Sequence, residues 1–153
     1  MRVFLPTLSL LALMLSGCGG ASHAKVNADQ SFVRLSAVSG NPSAAYFTVN
    51  GGPVDDRLME VKSPLVRRAE LHDMTMDGGM MKMTPLKDGL DVPAGAEIAF
   101  APGGKHVMLF DVSPKVVAGG KIPLMLSFAS GTTVEVQADV VAAGADAPGH
   151  HNH

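Results

Sequence analysis

The chain has 153 residues, enough for one compact domain, and its 46% hydrophobic and 17% charged side chains are ordinary for a globular protein. The formal net charge of −2, without a basic run or a basic patch interleaved with aromatic residues, excludes nucleic acid as an expected partner. A single cysteine excludes an intrachain disulfide, so the domain depends on its core for stability. Ten methionines are the unusual feature of the composition.

The first residues predict export and lipidation. Arg2 precedes a mostly apolar run that ends at Leu15, which is too short for a membrane span and is typical of a secretion signal. Ser-Gly and then Cys18 follow Leu15, and this ending resembles the bacterial lipobox, in which the cysteine is lipidated and the chain is cut just before it. The alternative is an ordinary signal peptide with a chance cysteine. We expect a signal peptide over residues 1–17, lipidation of Cys18, and a periplasmic or other extracytoplasmic location on a bacterial membrane.

A tether, a β-rich domain and a tail are expected in that order. Residues 18–30 are mostly small and polar and predict a flexible tether. Residues 31–141 contain short β-type runs separated by Gly, Pro, Asn and Asp, and no sustained helical period. Such a pattern predicts an all-β antiparallel sandwich or barrel of Greek-key type, followed by a flexible tail over 142–153. The predicted strands are 32–38, 45–49, 58–61, 66–74, 80–84, 97–100, 106–112, 124–128 and 132–141.

Half of the methionines are concentrated in one segment. Core filling is one explanation, because methionine packs well into irregular gaps. The segment is interleaved with charged residues and glycines, however, so several of its thioethers should face water or a ligand. The methionines concerned are Met74, Met76, Met80, Met81 and Met83.

Two His-x-Met pairs flank this segment. Residues two apart in a strand point to the same face, so His106 and Met108 project together, and so do His72 and Met74. Soft, uncharged thioethers suit Cu(I), and imidazole also binds copper. Zinc sites usually take thiolates, carboxylates or several imidazoles, and a blue-copper centre needs a thiolate. With Cys18 assigned to the lipid, the residues predict a soft-metal site without redox chemistry.

The region from about residue 31 to 139 resembles the periplasmic copper chaperones of the PCuAC type. Their pattern is a histidine, a methionine about eleven residues later, and a subsequent His-x-Met, which corresponds here to His72, Met83, His106 and Met108. Ala44-Ala45-Tyr46-Phe47, Glu70-Leu71 before the first histidine, and Pro102-Gly103-Gly104-Lys105 before the second also resemble the family. Met83 and His106 are separated by 22 residues, one more than the pattern, and a longer loop near residues 93–95 would absorb the difference.

The resemblance implies a cupredoxin-like β-sandwich and a non-enzymatic role. It implies that the protein binds one Cu(I) through the four residues and delivers it to an acceptor, notably the CuA centre of cytochrome c oxidase, often alongside Sco-type proteins. Met74, Met76, Met80 and Met81 remain further candidate ligands. A copper-sequestering lipoprotein is the alternative function, because a carrier and a store need the same ligands. We expect a monomer.

The carboxyl-terminal tail carries a second candidate site. His150, His151 and His153 could together chelate Cu(II), Ni(II) or Zn(II), and the alternative is a solvated tail without a role. The paired glycines do not follow a phosphate-loop pattern, and no Gly-x-Ser-x-Gly elbow is present. The sequence therefore predicts no enzyme.

Overall fold

A computed structural model describes residues 25–148, which form strands joined by turns and loops. Within this range, no helix is long and apolar enough to cross a membrane. The strands are β1 (Asn27–Arg34), β2 (Ser43–Asn50), β3 (Asp56–Lys62), β4 (Val66–Asp77), β5 (Met80–Pro85), β6 (Leu90–Val92), β7 (Glu97–Phe100), β8 (His106–Val112), β9 (Lys121–Phe128) and β10 (Thr133–Val141). The predicted all-β class is confirmed.

The ten strands form one hydrogen-bonded sheet. Its order is β5-β4-β8-β2-β1-β10-β9-β3-β6, and β7 pairs with the second half of β2. The β1–β10 pair is parallel, whereas the other strand pairs are antiparallel. β3 also contacts β4, so the sheet curls round and brings its two ends together. The curled sheet encloses a single hydrophobic core.

Alternating side chains build that core. In β9, Ile122, Leu124, Leu126 and Phe128 are buried, and the residues between them are less buried. This two-residue period is the strand period, with one face against the core and the other outside. Leu71 of β4 and Val107 and Leu109 of β8 are buried in the same cluster, so their sequence neighbours point away from it.

The structure moves both bounds of the first predicted strand, moves several other strand ends by one to three residues, and adds a strand. β1 begins at Asn27, inside the predicted tether, and it ends at Arg34 instead of residue 38. Its polar first half pairs with β2, and a bulge with Gln30 at φ +50° separates the two halves. β6 was missed because three residues are too short to show a period. The division into signal, tether, domain and tail remains a prediction.

A two-residue turn defines the hairpin formed by the end of β4 and by β5. Gly78 and Gly79 have φ of +57° and +83°, as a type I′ turn requires, and Asp77 pairs directly with Met80. β8 begins at His106, which lies opposite His72, so residues 73–77 of β4 extend past β8 and pair with β5. We call residues 73–84 the methionine hairpin.

Candidate metal centre

The strand registers bring the four predicted ligands to one face of the sheet. His72 of β4 is the direct partner of His106 of β8, and Met108 lies two residues further along β8. Met83 of β5 pairs with Met74, which is two residues from His72. Direct cross-strand partners and residues two apart share a face, so the four side chains project together, on the side opposite Leu71.

A backbone carbonyl fixes the proton of His106. Its Nδ1 lies 2.9 Å from the carbonyl oxygen of Gly104, which can only accept a hydrogen bond. Nδ1 must therefore carry the proton, and Nε2 keeps the lone pair that a metal needs. Histidine ligands in metal sites commonly donate their other N–H to such an acceptor, and this arrangement holds the ring in place.

His72 has a nitrogen without a partner. Its Nε2 lies 3.2 Å from Oε2 of Glu70, and an ionised carboxylate accepts, so Nε2–H donates. Nδ1 of His72 is then an unprotonated acceptor, and among residues 25–148 it is buried without a hydrogen-bond partner. Leaving such a group unsatisfied costs about 1–3 kcal/mol. A bound metal would use this lone pair, so the donor set fits a metal at this position.

The imidazole rings are separated by a distance that suits a shared ion. The ring centroids of His72 and His106 are 5.8 Å apart, with an interplanar angle of 22°. Metal–imidazole bonds are about 2 Å long and lie in the ring plane, so one ion could reach a nitrogen of each ring once the rings rotate out of this stacked arrangement. His72 is 8% exposed and His106 is half-buried, whereas Met83 on the edge strand is 46% exposed. The candidate ligands thus range from a buried histidine to a solvent-exposed methionine.

Glu70 is a site residue that the sequence analysis did not identify as functional. Besides His72, its carboxylate contacts Arg68, with 2.8 Å between Glu70 Oε1 and Arg68 Nη1. Arg68 in turn lies over the ring of Phe110, 4.1 Å from its centroid. The sequence spacing could have identified Glu70 as a neighbour of His72, because residues 68, 70 and 72 share one face of β4. This chain of contacts orients His72 from the side away from the methionine hairpin.

The remaining methionines divide between the two faces of the hairpin. Met74 pairs with Met83 and Met76 pairs with Met81, and all four lie on the face of His72. Met80 pairs with Asp77 on the opposite face. The register therefore separates Met80 from the other further candidate ligands.

Several predicted functional residues lie outside the described range. They are the lipidation site Cys18 and the tail histidines His150, His151 and His153.

Asp56 of β3, which is not among the proposed ligands, accepts several hydrogen bonds. The hydroxyl of Ser130 donates to Asp56 over 2.6 Å, and the backbone N–H groups of Arg57 and Ser130 also donate. The Ser130 hydroxyl is the largest influence on the pKa of Asp56 and holds it below its usual range; burial opposes this, and the backbone N–H groups of Arg57 and Ser130 add to the lowering. The neighbouring Asp55 accepts from the N–H of Ala94, so the acidic doublet is structural and does not converge on a reactant.

Solved structures with the same architecture define the class of fold. The chain is similar to the copper-bound PCuAC domain from PmoF2, at 24% identity and a TM-score of 0.63, with 79% of this chain and 96% of that one covered. It is also similar to Cu(I)-bound DR1885 from Deinococcus radiodurans, at 27% identity and a TM-score of 0.61, with coverages of 80% and 83%. The protein has the cupredoxin-like β fold of PCuAC domains, as the family resemblance implied.

The sequence comparisons give the family. Residues 26–140 match the family model described as "Putative lipoprotein LpqE-like", and the chain belongs to that family. A relative from Leifsonia xyli subsp. xyli, named "Putative lipoprotein Lxx21020", is 28% identical over 144 residues, which cover 88% of this chain and 86% of the relative.

Proposed function

We propose that this protein is an extracytoplasmic, lipid-anchored copper(I) chaperone. It binds one Cu(I) through His72, Met83, His106 and Met108 and gives the ion to an acceptor protein. The observation that carries the proposal is the directly paired His72 and His106, on a face with thioethers, where hydrogen bonds leave one lone pair on each ring. The copper-bound neighbours with this fold support the same conclusion.

The donor set selects the ion. Two thioethers and two neutral imidazoles are soft or intermediate ligands without charge, and they favour Cu(I) over Cu(II) and over zinc. The carboxylate of Glu70, which contacts both Arg68 and His72, has its charge largely balanced by Arg68 before a metal arrives. A cuprous site of net charge near +1 results, and no ligand has to lose a proton to form it.

The gradient of exposure suits transfer. Met83 lies on the edge strand β5 and is 46% exposed, so an acceptor's ligand can displace this thioether first. His72 is 8% exposed and would be the last ligand to release the ion. Each exchange replaces one Cu–ligand bond with another while copper stays Cu(I), so the protein carries the ion and does no redox chemistry on it. The acceptor we propose is the CuA domain of cytochrome c oxidase, or a Sco-type copper protein.

Anchoring through Cys18 would hold this face near a membrane-bound acceptor. The family and the Leifsonia relative are both named as lipoproteins, which supports an anchored location. A carrier needs no second protomer for this exchange, and we propose that it acts as a monomer.

Anaerobic transfer is the decisive experiment. Protein loaded with one equivalent of Cu(I) is mixed with an apo CuA domain, the two are separated by chromatography, and the copper in each is counted. We expect most of the copper on the acceptor. Retention by the donor at equilibrium would contradict delivery and would favour the alternative, a copper-sequestering lipoprotein.

Two exposed methionines provide a matched test of the ligands. Met83 and Met80 are 46% and 73% exposed and belong to the same strand, but Met80 lies on the face of the methionine hairpin opposite His72. Met83→Leu should weaken Cu(I) binding by at least about tenfold. Even mutations of residues that only orient a metal ligand reduce metal affinity by about 10- to 100-fold. Met80→Leu should leave Cu(I) binding unchanged. Equal affinities in the two variants would remove Met83 from the site.

A further inference from the structure

The methionine hairpin exposes apolar side chains that the proposed single site does not use. Met76 is 67% exposed and Met81 is 52% exposed, so neither fills the core. Both lie in the part of β4 and β5 that extends past β8, and every residue of β5 is exposed. Flexible, unbranched thioethers in such positions have no packing role that the structure reveals.

The glycine turn puts these thioethers into one array. The Gly78-Gly79 turn sets the register so that Met76 faces Met81 directly. Direct partners have Cβ atoms about 4.5–5.5 Å apart, and diagonal partners lie about 7–8 Å apart, within reach of long side chains. Met74 is two residues from Met76 on the same face, so three thioethers can approach one ion.

The charges of the hairpin lie on its other face. Lys82 pairs in register with Thr75, and its Nζ is 3.7 Å from Oδ2 of Asp77. By strand alternation, neither charge shares the face of Met76 and Met81. A site made only of uncharged thioethers takes a soft monovalent ion and rejects Cu(II) and zinc.

We infer that Met74, Met76 and Met81 form a second, weaker Cu(I) site at the end of the methionine hairpin. Met74 lies opposite Met83, so it adjoins both the hairpin site and the proposed chaperone site. An ion can pass between them when a bond to one thioether forms as the bond to the next breaks, with no electron or proton transferred. The hairpin site is where copper enters or leaves, and this inference rests on the proposed function.

Cu(I) titration against a chromophoric chelator tests the inference. The protein used is the mature chain in which Cys18 and the tail histidines His150, His151 and His153 are alanine, so that none of them can supply ligands. We expect one tight and one weaker equivalent of Cu(I). Met76→Leu with Met81→Leu should weaken the second equivalent by tenfold or more and spare the first, since leucine keeps most of the volume at these exposed positions.

Met80→Leu is the matched control. Met80 is 73% exposed and belongs to the same hairpin, but it lies on the opposite face. It should leave both equivalents unchanged, and equal losses in Met80→Leu and in the double variant would overturn the site in favour of unspecific thioether binding. A single equivalent in the parent chain would also overturn it, while leaving the proposed function standing.

A ligand variant separates the two sites. His106→Ala should lose the tight equivalent and keep the weaker one, and X-ray absorption of that bound Cu(I) should show sulfur ligands alone. Nitrogen in this spectrum would overturn the thioether assignment. Loss of both equivalents in His106→Ala, with the fold intact by circular dichroism, would show that no independent hairpin site exists. Failure of the parent chain to bind any Cu(I) would instead refute the proposed function.

Discussion

Replacing Glu70 with alanine should weaken Cu(I) binding by about 10- to 100-fold, although Glu70 is not itself a proposed ligand. Partners that orient metal-binding histidines have effects of this size. The carboxylate accepts from Nε2 of His72 over 3.2 Å, and the lone pair of Nδ1 depends on that hydrogen bond. Without it, the ring can rotate or change tautomer, and only part of the population presents the lone pair.

The effect on the apo fold should be small. Glu70→Ala removes an ion pair with Arg68 whose side chains are 60% and 35% exposed, which contributes at most about 1 kcal/mol. The lost hydrogen bond to His72 adds about 0.5–1.5 kcal/mol. Urea unfolding of the metal-free protein should therefore show a loss of about 1–2 kcal/mol. Copper affinity, measured by chelator competition under native conditions, should fall through the orientation of His72 instead.

Two further variants make the result interpretable. Glu70→Gln keeps an oxygen that accepts from Nε2 of His72, so it should recover part of the affinity. Asp91→Ala removes a comparable exposed ion pair, formed with Arg57 over 2.7 Å where β6 pairs with β3, and should not change copper binding. Wild-type affinity in Glu70→Ala would refute the orienting role, and equal weakening in Asp91→Ala would assign the effect to the loss of a negative charge alone.

Three other substitutions test the fold and the site. His106→Ala should abolish tight Cu(I) binding by competition titration but cost the half-buried apo site only about 0.5–1.5 kcal/mol in urea, through the lost hydrogen bond to Gly104. Leu124→Ala should cost about 2–5 kcal/mol in urea, because the side chain is fully buried. Ser130→Ala should raise the pKa of Asp56 in an NMR titration. A depressed pKa in the folded state stabilises the protein at pH values above the ordinary aspartate pKa of about 3.9. The Ser130→Ala variant should therefore be less stable than the parent at pH 7, and this difference should vanish as the pH falls through the folded-state pKa of Asp56.

Strand prediction succeeded where the turn chemistry was explicit. Residues 97–100 and 106–112 were predicted with the observed bounds, since Pro-Ala-Gly and Pro-Gly-Gly turns precede them. β1 was placed too late because its first half, from Asn27, is polar and joins the sheet through backbone pairing with β2. Local composition contains no information about such a partner.

The candidate site was also predictable only where the information is local in the sequence. The i, i+2 spacing places His106 with Met108 on one face without knowledge of any other strand. The pairing of His72 with His106 joins β4 to β8 across 34 positions of sequence, and periodicity cannot specify it. Only the family resemblance brought the four residues together in advance, and it did not reveal the carboxylate of Glu70.

The register of the methionine hairpin connects the turn conformation to the positions of the proposed ligands. The two glycines need positive φ, which favours the two-residue turn, and this turn makes Asp77 the partner of Met80. Because side chains alternate, that single pairing decides the face of every methionine in the hairpin, and a one-residue slip of β5 would move Met81 and Met83 away from His72. The proposed metal site therefore depends on the Gly78-Gly79 turn, which contains none of its proposed ligands but fixes the face on which their thioethers lie.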